Sequence, residues 1–475
     1  MNGGIEITEL TALLALASIA LFVVGLKRLS KVRTSRTGNA LMASGMLVAV
    51  VITLVEIGLV DYRWIVTGLV IGGGLGVLIV VRARATQMPE IVARFNGFGG
   101  AASALVALSL FWLEVVEAPG EATAATVLGG TAAVTLVLSV LIGATTLSGS
   151  ILAELKLRGT LEASQRIPMR TVLMGLAALG GAAMGFVATF GVEDPGTAAG
   201  LIIGLAAASL LVGLILVLPI GGADMPVVIS LLNSLSGLAA AATGFALNNH
   251  LLIIAGTVVG AAGLILTQIM CVAMNRSLIN VIAGGYGEGG DVEHGEYGTV
   301  ISTDPESAAM VLEAAQSVII VPGYGLAAAR AQNAAHDLAQ ALIDRGASVR
   351  FAIHPVAGRM PGHMNVVLAE AEVPYELLSE MDEINPEFSQ TDVAIVVGAN
   401  DVVNPAAKEQ PDSPIGGMPI LDVEQARRVF VIKRSLSPGY AGIKNDLFER
   451  ENTVMLYGDA KEMLTELANE LEAVR

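Results

Sequence analysis

Cysteine is almost missing from this chain of 475 residues: Cys271 stands alone, so no disulfide scaffold holds the fold. Charge is scarce too. Only 15% of residues are Asp, Glu, Lys or Arg, against about 25% in an ordinary soluble protein, while 54% are hydrophobic. The charge that is present has the wrong sign for nucleic acid. The net value is −16, whereas phosphates select a basic face, so no nucleic-acid partner is expected. High, uninterrupted apolar content excludes disorder. Walker A, HExxH, CxxC and GxSxG patterns are absent. The five histidines (His250, His294, His336, His354 and His363) show no metal spacing on a common helix, and no metal site is expected.

What is present divides into two polymers. Residues 1–290 carry 14 basic and 14 acidic side chains, whereas 291–475 carry 13 and 29. The whole negative charge therefore belongs to the C-terminal part. The expected fold is an all-α polytopic membrane bundle over 1–275, a linker over 276–300, and an α/β Rossmann-like doubly wound domain over 301–475. The run GGYGEGGDVEHGEYG at 284–298 has the glycine and acid content of a linker.

A helix needs about 20 apolar residues to cross the hydrocarbon core. Nine segments qualify: 7–26, 38–59, 64–81, 91–113, 122–148, 171–190, 197–219, 227–247 and 251–274. The first reads as a span and not a signal peptide, because no basic n-region precedes it and basic residues follow it. Lys27, Arg28, Lys31, Arg33 and Arg36 follow span one, Arg82 and Arg84 follow span three, and Lys156, Arg158, Arg166 and Arg170 lie between spans five and six. The alternate loops hold Asp61, Glu114, Glu117, Glu121, Glu193 and Asp194, with Arg63 as their basic residue. The positive-inside rule puts the basic loops in the cytosol. An odd number of spans then places the C-terminal domain there as well, and the chain is expected in the cell (inner) membrane, with the lipid bilayer around it.

Polar groups at membrane depth are costly and therefore informative. Glu56 and Arg94 are placed to snorkel toward the interface. Asp224 opens span eight in GGADMP, and Asn233 follows nine residues later on the same helix. A carboxylate and an amide so placed could carry or gate a proton. Asn96 lies in span four, just after Arg94.

In the C-terminal part, SVIIVPGYGLAAARAQNAAHDLAQALIDRGASVRFAIHP (317–355) reads as a βαβ unit. Gly323-x-Gly325-x-x-Ala328 closes its first strand, and a helix is expected to run on to about Arg345. Such a turn lets the backbone approach a pyrophosphate at a helix N-terminus. The second strand, 348–353, ends in His354-Pro355 with no carboxylate for an adenosine ribose, which disfavours NAD and leaves room for NADP. Lys433-Arg434-Ser435, after the apolar run 429–432, could then hold a 2′-phosphate. Further strand-like runs, 393–397 and 453–457, end in the polar loops Gly398-Ala399-Asn400-Asp401 and Gly458-Asp459. Polar loops at the carboxyl edge of a parallel sheet form ligand sites. His354 and His363 flank the loop VAGRMPG and shape it. On these residues alone a transporter with a nucleotide-sensing domain, or a membrane anchor for a dehydrogenase, would also serve.

The runs HPVAGRMPGHMNVVLAEAEVPYE, GANDVVNPAA, KRSLSPGYAG and GDAK resemble the NADP(H)-binding domain of proton-translocating NAD(P) transhydrogenase, and GGADMPVVISLLNS and CVAMNRS resemble its membrane domain. The resemblance covers essentially the whole chain and points to the beta subunit of the split-subunit form. It implies a translocating oxidoreductase in which hydride passes from NADH to NADP+, coupled to inward proton movement. NADP(H) would bind on this chain and NAD(H) on an alpha subunit that also brings further transmembrane helices, with the full complex a dimer. Carried over by motif, the nucleotide contacts are Gly323, Tyr324 and Gly325; Val356, Ala357, Gly358, Arg359, Met360 and Pro361, with Arg359 at the phosphates; and Gly398, Ala399, Asn400, Asp401 and Val402. They continue with Gly417 and Met418; with Lys433, Arg434, Ser435, Leu436, Ser437, Pro438, Gly439 and Tyr440; and with Asp459 and Ala460. Asp401 is similar to an acidic residue that couples protonation to nucleotide binding, and Asp224 and Asn233 match membrane positions tied to the proton route. One position departs: Asn96 stands where some members carry histidine, and an amide cannot relay a proton by titrating.

Overall fold

The structure is a computed structural model that describes residues 7–29, 34–57, 62–84, 87–117, 122–161, 167–221, 224–283, 297–360, 362–439 and 441–473. Most of the expected linker, together with Pro361 and Tyr440, lies outside the described residues.

Nine helices among the described residues are long and apolar enough to cross a membrane. They are α1 (Ile7–Leu29), α2 (Ser35–Ile57), α3 (Arg63–Val81), α4 (Met88–Phe111), α5 (Gly130–Leu157), α6 (Arg170–Phe186), α7 (Pro195–Val217), α8 (Met225–Ala246) and α9 (His250–Ala273). Helix α4 runs on through a π-turn, Trp112–Val116. Small residues decide which helices approach closely. A Cβ added at Gly237 of α8 would lie 2.5 Å from the Gly260 nitrogen of α9, and one at Gly100 of α4 would lie 2.6 Å from the Gly143 carbonyl of α5. Helices α4, α5, α8 and α9 thus pack at backbone distance, whereas α3 buries no residue.

The fifth span differs from the sequence expectation. A short helix, Ala124–Leu128, ends at Gly129, whose φ of +87° breaks the helical path. Helix α5 then runs nine residues beyond the expected end at 148. Its last turns are charged but compensated. Glu154 pairs with Arg94 and with Arg158 at 2.7 Å, and Lys156 Nζ donates to the Val217 and Ile220 carbonyls at 3.2 and 2.9 Å. Hydropathy alone stops a span at such residues; paired charges let it continue. Arg94 is thus held by an ion pair with Glu154 of α5.

The C-terminal part is a parallel sheet of six strands: β1 (Ser317–Pro322), β2 (Ser348–Ile353), β3 (Leu378–Glu380), β4 (Val393–Val397), β5 (Arg428–Lys433) and β6 (Thr453–Tyr457). Their order is β3-β2-β1-β4-β5-β6. Strand β3 is too short and too polar to show in the sequence. Helices Gln332–Asp344 and Ala460–Ala473 cover one face through Leu338, Leu342, Leu464 and Leu467; Phe388 and Phe448 pack on the other. Strands are added toward one edge from β1 to β3 and toward the other from β4 to β6, so the crevice at the carboxyl ends of the parallel neighbours β1 and β4 is the place where this topology receives ligands.

Candidate functional site

Register builds that crevice. Pro322 pairs with Val397, which sets Gly323 beside the loop after β4. Gly323 N donates to the Val397 carbonyl at 2.9 Å, and Gly325 N to the Gly398 carbonyl at 2.8 Å. Gly398 has φ +63°, and a Cβ there would stand 2.4 Å from the Gly325 Cα. Only glycine meets both demands. The helix after the turn is shorter than its sequence suggests. It covers Tyr324–Ala328, and Arg330 at φ +53° separates it from Gln332–Asp344. The dipole of one short helix is small, so an anion at the turn depends on backbone amides and nearby cations.

The crevice is a cleft of about 560 Å³, within the range of cofactor sites. Its walls bring together most of the expected residues: Gly323, Tyr324, Gly325, Val356, Ala357, Gly358, Gly398, Ala399, Asn400, Asp401, Val402, Met418, Lys433, Arg434, Ser435, Ser437, Pro438, Gly439 and Ala460. Arg359, Met360, Gly417, Leu436 and Asp459 are not on these walls. Gly458, from the loop expected after the last strand, lines the cleft as well, and Met274, Ala329, Ile415 and Ile432 line it but were not expected. The apolar ones among them carry no motif, and only the three-dimensional path of the chain places them there.

The cleft is apolar in its floor and cationic at its rim. Lys433 Nζ donates to the Ser437 carbonyl and lies 5.4 Å from the Phe448 ring centre. Burial pulls its pKa down, opposed by the charge of Asp401. Arg434 is 3.7 Å from Asp459. The Ser435 and Ser437 hydroxyls are 2.8 Å apart. Ala441 N donates to Asp401 Oδ2 at 3.1 Å, which ties the loop after β4 to the loop after β5. Cations, hydroxyls and glycine amides around an apolar floor suit a phosphorylated planar ligand, and no carboxylate follows β2. The residues therefore fit a dinucleotide with an extra phosphate.

Two histidines hold the loop after β2. His354 is neutral, its pKa pushed down to about 4 by burial. Its Nε2 donates to the Pro419 carbonyl at 2.8 Å, and its Nδ1 accepts from Val356 N at 3.2 Å. His363 is also pushed down to about 4, by burial and then by Arg359. Its Nδ1 accepts from Arg359 N at 2.9 Å.

The cleft adjoins the membrane helices. Met274, just past α9, is part of its wall. Asn275 Nδ2 donates to the Gly416 carbonyl, so Gly417 faces Asn275 and not the cleft. Arg276 Nη2 reaches Asp224 Oδ2 at 3.1 Å, and Asp224 is 1% exposed. Asn96 Nδ2 donates to the Ile229 carbonyl at 3.2 Å, one turn before Asn233 on α8. The Asn233 side chain bonds no other described residue. Asp224 at the start of α8, Asn233 within α8 and Asn96 reaching α8 from α4 thus gather along one helix, and none of them lines the cleft, with Arg276 between the two regions.

A sequence model of the family described as "NAD(P) transhydrogenase beta subunit" matches residues 11–470. Two curated proteins named "NAD(P) transhydrogenase subunit beta", one from Rhodospirillum rubrum and one from a particular strain of that organism, are each 46% identical over 452 residues, covering 94% of this chain and 96% of the relative.

Proposed function

The chain belongs to the NAD(P) transhydrogenase beta subunit family, and from that premise we propose that it binds NADP(H) in the cleft and couples hydride transfer to proton movement across the membrane. The observation that carries this reading is the rim formed by Lys433, Arg434, Ser435 and Ser437 facing the Gly323–Gly325 turn across an apolar floor. Lys433, Arg434 and Ser435 hold the 2′-phosphate, and the amides of the turn receive the pyrophosphate. Ile415, Met418 and Ile432 lie against the rings and exclude water. Hydride transfer between two nicotinamides is the chemistry the cofactors supply when bound, and the chain contributes proximity and dryness to it.

An alpha subunit brings NAD(H) and further transmembrane helices, and the complex is a dimer. Residues 1–275 form the membrane part, 276–300 the connection and 301–475 the nucleotide part, which lies on the cytosolic side of the inner membrane. Moving one charge down 100 mV releases about 2.3 kcal/mol. That energy must reach the cleft as a difference in nucleotide affinity between two conformations. Asp224 takes and releases the proton. Asn96 and Asn233, which cannot titrate, pass it through hydrogen-bonded water. Asp401, bonded to the loop after β5, reports the protonation state to the nucleotide.

The test is hydride exchange between NADH and an NADP+ analogue after mixing with the NAD(H)-binding partner in sealed vesicles. The rate and equilibrium should follow an imposed proton gradient. A transporter or a passive anchor would show no exchange.

A further inference from the structure

Arg359 sits in the loop that lines the cleft, yet its guanidinium is spent outside it. Nη1 donates to the Leu157 carbonyl at 2.9 Å, at the C-terminal end of α5. That carbonyl is one of the orphans every helix end leaves. The local bonds of Arg158, Gly159 and Thr160 go to the carbonyls of Glu154, Lys156 and Leu155, so Leu157 is capped by Arg359. The helix is 28 residues long, and its C-terminus attracts a cation. Glu90 of α4, 3.4 Å from Arg158, sets a carboxylate beside the same helix end.

The same guanidinium lies 4.3 Å over the ring of Tyr324, between the two glycines of the turn. The backbone beneath it is fixed, because the Arg359 amide is bound to His363 and Gly358 holds φ +107°. Only the side chain has room to choose. A phosphate at the turn would offer it a full negative charge in place of the partial charge of a carbonyl, and arginine recognises phosphate with a planar fork.

We propose that the membrane helices and the dinucleotide's phosphates compete for Arg359, so that its docking on the α5 end and its grip on the nucleotide exclude one another. This rests on the nucleotide reading above. Linkage makes the competition reciprocal. A bound nucleotide frees the α5 end, and whatever strengthens the α5 site loosens the nucleotide. Helix α4 is placed to exert that control, because Arg94, which ion-pairs with Glu154 of α5, lies two residues before Asn96.

The experiment is a double-mutant cycle on the full chain in lipid nanodiscs, measuring Kd for NADP+ and for 2′-AMP, which lacks the pyrophosphate. Glu90→Lys repels Arg359 from the α5 end. It should tighten NADP+ roughly five-fold or more, leave 2′-AMP unchanged, and have no effect in an Arg359→Ala background. Glu90→Gln should act in the same direction but less, and serves if the lysine variant does not fold. NADP+ affinity that is unchanged by both Glu90 variants, or changed equally with and without Arg359, overturns the competition while leaving the nucleotide reading intact. A wild-type chain that binds NAD+ as tightly as NADP+ and does not bind 2′-AMP overturns the nucleotide reading itself, and the competition with it.

Discussion

Arg276 and Asp224 form an ion pair at 3.1 Å across the point where the last membrane helix gives way to the chain leading to the sheet. Asp224 is 1% exposed and stands immediately before the helix that carries Asn233, without a side-chain capping bond to it. A buried pair is costly to break from one side, because the remaining charge is left without compensation. Asp224→Ala or Arg276→Ala alone should destabilise the protein by about 3–5 kcal/mol. Asp224→Asn with Arg276→Gln should recover most of that stability, but not proton pumping. Thermal unfolding in detergent reports the first part, and dye-monitored acidification of vesicles the second. Equal pumping by the double variant and the wild type would refute the role of Asp224.

The 2′-phosphate assignment gives the simplest affinity test. A hydrogen bond to a charged group contributes about 1.5–3 kcal/mol. Lys433→Ala together with Arg434→Ala should therefore weaken NADP+ by roughly ten-fold or more and abolish its preference over NAD+. Arg434 already sits 3.7 Å from Asp459, so Asp459→Asn should release it and tighten NADP+ modestly. Calorimetric titration of each variant reads all three.

Gly439 tests the tie between the loops after β4 and β5. A Cβ there would stand 2.4 Å from Asp401 Oδ1, so Gly439→Ala must displace the carboxylate or the loop. Overpacking of this kind costs about 1–3 kcal/mol. NADP+ binding should weaken while the six-stranded sheet keeps its hydrogen-exchange protection. Unaltered binding would show that Asp401 and its loop are not coupled to the ligand.

Two histidines predict an acid limit. His354 and His363 have folded pKa values depressed to about 4, below the unfolded value of about 6.5. Between those values the unfolded chain binds more protons than the folded one. Stability is therefore intact above about pH 6.5 and falls as the pH drops toward 4, by roughly 3 kcal/mol per histidine. Urea unfolding of the purified protein, followed by exchange at the β-sheet amides, should show this loss between pH 7 and 5. His354→Asn should flatten the slope.

Asn96 bears on the proton route. Because it already bonds the Ile229 carbonyl, its amide serves by geometry and not by titration. Asn96→Leu should remove pumping while changing stability by about 1 kcal/mol. Asn96→His should retain pumping. If the leucine variant pumps normally, the route does not pass Asn96.

Much of this was legible in the sequence, because the signals are local. Apolar runs of membrane length and β-branched runs closed by glycine turns name their elements without help. The motifs that line the cleft did so too, since each loop sits directly after a strand and the carboxyl edge collects them. What failed to show was non-local. Span five ran on to Leu157 because Arg94 pairs with Glu154 and carbonyls at and just past the end of α7 accept from Lys156. The helix after the glycine turn broke at Arg330. Ile415 and Met274 joined the cleft from distant segments with no motif to mark them.

The order of residues, then, determined that this chain crosses a membrane repeatedly, that its acidic charge lies beyond the last span, and that a glycine turn, a cationic run and a missing ribose carboxylate suit NADP. Those properties follow from composition and short-range geometry. Tertiary structure alone decided that Arg359 would be capped onto Leu157, that Gly417 would face Asn275, and that Asp224 would meet Arg276. Each of these pairs joins residues far apart in the chain, and which charge or carbonyl ends beside which is settled only when helices and sheet are packed together.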